Sequence, residues 1–377
     1  MNFSEVIGLE HIKNHLQTSA SQGRVAHAQI FSGSNGSGTL PIAIAYARYI
    51  LCNNANNIES CNLKFDALAH PDLHFVFPVA TTPTVKQHPV SDLFIKEWQE
   101  FVKKNSYASL FEWYKHLGVE KKQGIINVEE AGKIVQKLSL KSYEGGYKVM
   151  LIWMADKMNT QAANKLLKLI EEPPEKTVFI LITENEDQIL QTISSRCQIL
   201  QFPPLGAGAI TDVLQSKHSI DSASAEKIAH RAQGNYNTAL QLLNENEEEN
   251  QFETWFITWI RAAFRAKGNK TVINDLFAWS EEIASTSREV QKQFLHYCID
   301  FFRQALLLNY KSDPLIFLEP TTNNFELKKF APFIHGNNIE GIFEALQEAI
   351  QLIERNGSGK IIMTDLSIKL TRLLHVK

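Results

Sequence analysis

Three groups of residues in this 377-residue sequence have the types and spacing to do chemistry. The first is the stretch from Gly33 to Leu40, Gly-Ser-Asn-Gly-Ser-Gly-Thr-Leu, whose glycines are spaced as in a loop that cradles phosphate. In such a loop backbone N–H groups hold phosphate oxygens, a lysine reaches the outer phosphates and a Ser or Thr hydroxyl holds Mg²⁺. Here Thr39 stands in the lysine's place and Leu40 in the hydroxyl's. Gly33, Gly36 and Gly38 still form a backbone nest able to hold a phosphate or sulfate weakly, but the chemical residues of an ATP site are gone. The second group is Cys52 and Cys61 with His70 and His74, thiol and imidazole donors of the kind that bind zinc. The third is Ser195-Arg196-Cys197. A guanidinium is always charged and planar, suited to gripping a phosphate whose charge is being redistributed. Its plainer use is a loop arginine paired with a nearby carboxylate.

The elements that position these groups are legible as patterns. Ala26–Phe31 reads as a strand entering the glycine loop, and an apolar helix follows from about Pro41 to Leu51. Strand, glycine turn, helix is the context a phosphate loop requires. The chain's organising block is Tyr147–Pro204. The apolar run Val149–Met154 predicts a buried strand. Thr160 is a candidate N-cap, Ala163, Leu166, Leu167 and Ile170 form a stripe, and Pro173-Pro174 stop the helix. A second buried strand, Val178–Ile182, leads to Ser195-Arg196-Cys197. Strand, helix, strand in that order predict a right-handed crossover in a parallel sheet.

Elsewhere a helix is expected over Val128–Leu138, and 78–124 reads as an insertion. It opens as a loop at Pro78–Thr84, then has a helical segment around Asp92–Lys104 whose Leu93, Trp98, Phe101 and Val102 should pack on the sheet. A small helical lid should span 205–245, followed by a solvated acidic linker at 245–250. Helices are then expected over Phe252–Arg265, Thr271–Ala284, Ser287–Tyr310, Ile339–Arg355 and Thr364–His375. Phe294, Tyr297, Cys298, Phe301, Phe302 and Leu306 make an apolar face that would suit subunit contacts as well as a core. Gly357-Ser-Gly-Lys360 imitates the end of a phosphate loop but follows a helix, so it reads as a turn between the last two helices.

Composition narrows the function classes. A net charge of −3, with 44% hydrophobic and 21% charged residues, is that of an ordinary globular protein without a global basic field, so any DNA contact must be local. Met1-Asn-Phe-Ser-Glu-Val lacks a signal-peptide pattern and no apolar run reaches membrane-span length. Four scattered cysteines in a chain this long suggest reduced thiols and the cytoplasm.

Taken with Ser195-Arg196-Cys197, the helix Ala162-Ala-Asn-Lys-Leu-Leu-Lys-Leu-Ile-Glu-Glu-Pro-Pro174 resembles that of the bacterial clamp-loader subunits of the AAA+ family. The likeness covers essentially the whole chain and is strongest over 126–204. It implies an α/β AAA+ domain over 1–204, a parallel sheet with helices on both faces and the insertion near 78–124. A small helical lid would follow over 205–248 and an all-α oligomerising collar over 249–377. An active member would end its central strand in Asp-Glu, where this chain has Trp153 and Met154, with Asp156 two or three positions too late. Glu184 stands where a polar γ-phosphate sensor would follow Thr183, and Asn237 where the sensor arginine would be. The family's zinc module would draw on Cys52, Cys61 and two further cysteines, but those places hold Lys64 and Ala67. No metal is therefore expected and the cysteine pair reads as a remnant, with His70 and His74 the only substitute donors.

What remains intact is Arg196, by resemblance an arginine finger acting in trans on a neighbour's ATP, with Ser195 and Cys197 as its scaffold. The resemblance is to the delta-prime kind, a stator of the DNA polymerase III clamp loader without ATPase activity or nucleotide of its own. Its implied partners are gamma/tau-type ATPase subunits and a delta subunit, and, through the complex, the sliding clamp and primed DNA. Lys133, Lys137 and Lys141 lie near the inner side of the fold by analogy. Two rival readings are an active gamma/tau-type ATPase and a non-replicative AAA+ scaffold.

Overall fold

In a computed structural model of the chain the described residues are all but 54, 56, 121, 244–246, 267, 268, 270, 271, 313–315, 318, 319, 321–324 and 377, with side chains of 247–250 also set aside. They fall into two units, Met1–Leu242 and Leu243–Lys377.

Five strands carry the first unit: β1 (Ala28–Gly33), β2 (Leu73–Val76), β3 (Lys148–Ile152), β4 (Thr177–Thr183) and β5 (Gln198–Phe202). All pair in parallel, in the order β2-β3-β4-β1-β5. Successive side chains on a strand point to opposite faces, and both faces here are buried. Val149 and Leu151 of β3 and Val178, Ile180 and Ile182 of β4 enter one core; Met150, Ile152, Phe179 and Leu181 enter the other. The first face is covered by α1 (Glu10–Ser21), α2 (Thr39–Cys52), α3 (Ile58–Asp66), α4 (Ile95–Lys104) and α5 (Leu110–His116). The opposite face takes α6 (Val128–Ser139), α7 (Thr160–Glu171) and the short α8 (Gln191–Ser194). This is the parallel sheet with helices on both faces expected from the sequence.

Two local details differ from the expectation. Asn159, not Thr160, caps α7, its side chain accepting from the Ala162 N–H at 2.8 Å. The Asn159 N–H is spent on the Ile126 carbonyl, which holds that residue extended and makes Thr160 the first helical position. The central strand stops at Ile152, and Met154 takes a left-handed backbone (φ 54°) that turns the chain away from the sheet. As expected, Ala163, Leu166 and Ile170 of α7 are buried, each fully buried aliphatic contributing about 1.5–3 kcal/mol.

The described residues of the insertion pack on the sheet unit. Trp98, Phe101 and Val102 of α4 pack on the sheet core as expected, whereas Leu93 lies exposed just before the helix. A reciprocal cap, Ser109 with Glu112, starts α5. The lid helices are α9 (Ala207–His218), α10 (Ser222–Ala232) and α11 (Tyr236–Leu243).

The second unit is all-helical: α12 (Glu247–Ala266), α13 (Val272–Ala284), α14 (Arg288–Asn309), the short α15 (Leu327–Phe330), α16 (Gly336–Glu354) and α17 (Gly359–Leu373). The expected acidic linker at 245–250 lies outside the described residues at 245 and 246, and helix begins at 247. Phe294, Cys298, Phe301 and Phe302 are fully buried inside this unit, so that face of α14 is spent on its own core. Exposed apolar residues of this unit include Ile273 and Phe277 on α13 and Ile361 and Ile368 on α17, two helices that pack together, besides Tyr310, Phe333, Leu352 and Val376 elsewhere. Gly357 sits in the turn as expected, but α17 begins at Gly359, so Lys360 belongs to its first turn and pairs with Glu281. Among the described residues no helix is long and apolar enough to cross a membrane.

Candidate functional site

The glycine loop lies between β1 and α2, where a phosphate loop belongs. Gly36 (φ 68°) and Gly38 (φ 94°) take the left-handed conformations the loop needs. Thr39 is the first residue of α2, and Leu40 is buried in the sheet core. Thr39 supplies no cation and Leu40 no metal ligand. The loop is held from the lid side: the Tyr236 N–H donates to the Gly36 carbonyl at 3.2 Å, and the Asn235 side chain lies where a Cβ on Gly36 would stand.

This chain's own side chains crowd the glycine loop. A cleft of about 20 Å³ remains beside the loop, room for about one water molecule. Ligand pockets are roughly 300–1,000 Å³. Ser106, Tyr107 and Ala108 from the insertion close it on one side and Trp153 and Met154 on another. Among the described residues no Lys or Arg lines it, whereas Glu184 does. Tyr107 is buried, its hydroxyl accepting from the Ile7 N–H at 2.9 Å and its ring set edge-on to Tyr236 of the lid at 5.0 Å. Burial pushes the Tyr107 phenol well above its ordinary range, so it stays neutral.

The two missing acids have become packing. Trp153 lies 5.0 Å from Trp98 and 6.2 Å from Phe101 between ring centroids, so the insertion is anchored on a residue at one of the two places where an active ATPase is expected to carry an acid. Asp156 does not replace that acid: it accepts from the Thr183 hydroxyl at 2.9 Å and pairs with Lys157 at 2.8 Å. Asn237, at the place of the sensor arginine, is buried and joins lid to insertion. Asn105 donates to its Oδ1 at 2.7 Å, and its own amide donates to Glu112 at 2.5 Å. That bridge spans residues far apart in sequence and was not readable from it.

The expectation of reduced thiols fails for one pair. Cys52 at the end of α2 and Cys61 in α3 form a disulfide, with Cα atoms 5.6 Å apart, while Cys197 and Cys298 are free. His70 lies with them, and His74 does not join the cluster. The His70 Nδ1 accepts from the Asp72 N–H, leaving Nε2 facing Glu144 at 3.5 Å. Burial holds the His70 pKa below its usual value and takes that of His74 down to about 4. Lys64, in the third cysteine's place, puts its ammonium on Glu144 at 2.5 Å, and Ala67 offers no donor. A structural zinc does not fit this set, since both sulfurs are bonded to each other and one of the remaining positions is cationic.

Arg196 stands apart from all of this, on the turn after α8, with its side chain 39% exposed. Its Nη1 donates to the Thr192 carbonyl at 2.9 Å and to the Ser195 hydroxyl at 3.2 Å, and its Nε to Glu171. Cys197 tucks against the core beneath it, its thiol pushed up to about 11 by burial and so neutral. The adjoining edge strand β5 exposes Gln198, Ile199 and Gln201. Of the lysines on and after α6, Lys133 and Lys141 are exposed and Lys137 pairs with Asp92.

Residues 8–206 match the family model described as DNA polymerase III, delta subunit. The chain belongs to this family. Among its relatives, the delta' subunit of Bacillus subtilis DNA polymerase III is 32% identical over 203 residues, 53% of this chain and 49% of that protein. The delta' subunit of Escherichia coli is 26% identical over 194 residues, 50% of this chain and 46% of that protein. The tau subunit of Bacillus subtilis is 28% identical over 248 residues, 64% of this chain and 37% of that protein. The chain thus spans about half, or less, of the length of these relatives.

Proposed function

We propose that this chain is a delta-prime-type stator of a DNA polymerase III clamp loader, inert towards ATP itself and supplying Arg196 to the ATP site of a neighbouring subunit. The observation that carries this reading is a contrast: only a narrow cleft lined by Tyr107, Trp153 and Met154 remains beside the glycine loop, while Arg196 is exposed on the turn after α8. A guanidinium there can stabilise the charge that builds up on a transferring γ-phosphoryl group, and such fingers are worth roughly 10³–10⁵ in rate. Gamma/tau-type ATPase subunits and a delta subunit are its proposed neighbours, with the sliding clamp and primed DNA engaged through the assembly. Ile273, Phe277, Ile361 and Ile368 are the proposed contact residues of its collar. Contact with DNA would run from Lys133 and Lys141 to phosphates, positioning rather than reading the duplex. The likeness to tau does not favour an active motor, because the Lys, Ser/Thr and Asp-Glu places hold Thr39, Leu40, Trp153 and Met154.

The test is ATP turnover by the reconstituted complex, stimulated by primed DNA and clamp. Arg196→Ala is expected to slow turnover by about a thousandfold at the site this chain abuts, with assembly intact. Turnover unchanged by the substitution would leave the chain an architectural role only.

A further inference from the structure

We infer that Glu171 is a positioning residue for Arg196, holding the guanidinium in the orientation from which it meets a neighbour's nucleotide. The inference rests on the finger reading above and goes one residue further. Glu171 is the last residue of α7, and its carboxylate accepts from Arg196 Nε. Nη1 is fixed by the Thr192 carbonyl and the Ser195 hydroxyl, so two of the three nitrogens are held from the inner side. Nη2 has no partner among the described residues and is the edge left to face outwards. A long side chain with many rotamers is thereby reduced to one presentation before any ligand arrives, which is how a positioned group gains rate.

The placement of Glu171 is otherwise unfavourable. Carboxylates near a helix C-terminus face the negative end of the helix dipole, and here Glu171 and Glu172 stand there together. Local rules broken without a packing reason tend to mark functional positions. Packing gives no reason: the Glu171 side chain is 42% exposed, and exposed ion pairs contribute little to folding. The base of the arrangement is rigid, since neighbouring Ile170 and Ile193 are fully buried and the Arg196 N–H is bonded to the Ile193 carbonyl at 3.0 Å.

The experiment compares Glu171→Ala, Glu171→Gln and Arg196→Ala in the reconstituted complex, reading kcat and KM for ATP, complex assembly, and thermal unfolding of the isolated chain. Glu171→Ala should lower kcat by about tenfold, with KM, assembly and unfolding temperature unchanged. Glu171→Gln, which keeps an acceptor for Nε, should recover most of that loss. If Arg196→Ala slows turnover and Glu171→Ala does not, positioning is overturned and the finger stands. If Glu171→Ala impairs assembly or lowers the unfolding temperature, its role is structural and the inference fails. If Arg196→Ala is itself without effect, the finger reading falls and this inference falls with it.

Discussion

Trp153 and Met154, at the places where an active ATPase is expected to carry acids, are packing residues in this chain. Each is nearly inaccessible to solvent, and Trp153 is part of an aromatic cluster with Trp98 and Phe101. Returning an acid there would bury a carboxylate with no cation beside it, which costs roughly 3 kcal/mol or neutralises the group. Met154→Glu is therefore expected to lower the urea midpoint of unfolding and to leave ATP turnover by the isolated chain at background. Gain of turnover would contradict the account of a filled site. The individual losses were legible in the sequence because they rest on residue type: Thr39 cannot act as a lysine, Leu40 cannot bind Mg²⁺, and Asn237 cannot act as an arginine. What the residues at these places do instead was not legible. Trp153 meets Trp98 55 positions earlier in the chain, a contact that only tertiary packing decides. Asn159 and Thr160 were indistinguishable as caps for a related reason, because the bond from Asn159 to Ile126 chooses between them.

Among the elements, the insertion and the lid act as one clamp over the glycine loop. The Tyr236 N–H on the Gly36 carbonyl and the Asn105–Asn237–Glu112 bridge tie three segments that the sequence presents separately. Asn237→Ala removes two side-chain hydrogen bonds and leaves the Asn105 amide without its acceptor, a local cost of about 1–3 kcal/mol. Hydrogen exchange should show the amides of α11, Tyr236 first, opening about ten- to a hundredfold faster, with protection of β3 and β4 unchanged. Unchanged exchange in α11 would mean the lid is held by other contacts. The block 147–204 was legible as strands and helix because its apolar periods are strong; the insertion's tie to the lid was not, since its partner Asn237 lies more than a hundred residues away. The pair Cys52 and Cys61 belongs to this scale too. Its separation of nine residues fits either a metal remnant or a bond, and the packing of α3 against the end of α2 brings the sulfurs together. Closing so short a loop stabilises by about 2–3 kcal/mol. Thiol titration of the denatured chain should find two reactive groups, Cys197 and Cys298, without reductant and four with it. Four without reductant would contradict the bond.

For the molecule as a whole, the sequence pattern and the fold agree on a division of labour. The first unit keeps the parallel sheet and the glycine loop of a nucleotide-binding protein, yet uses its own Tyr107, Trp153 and Met154 where a ligand would lie. The lid is tied down by side-chain hydrogen bonds, and Arg196, the proposed finger, is exposed on the turn after α8. The second unit spends the aromatic face of α14 on its own core and leaves α13 and α17 with exposed apolar residues. The most direct measurement is isothermal titration of the isolated chain with Mg²⁺ and ATP. The account predicts no saturable heat through millimolar ATP, because the cleft beside the glycine loop is too small for a nucleotide. One-to-one binding with a micromolar dissociation constant would contradict it, since the insertion would then have to leave the site for the nucleotide to enter.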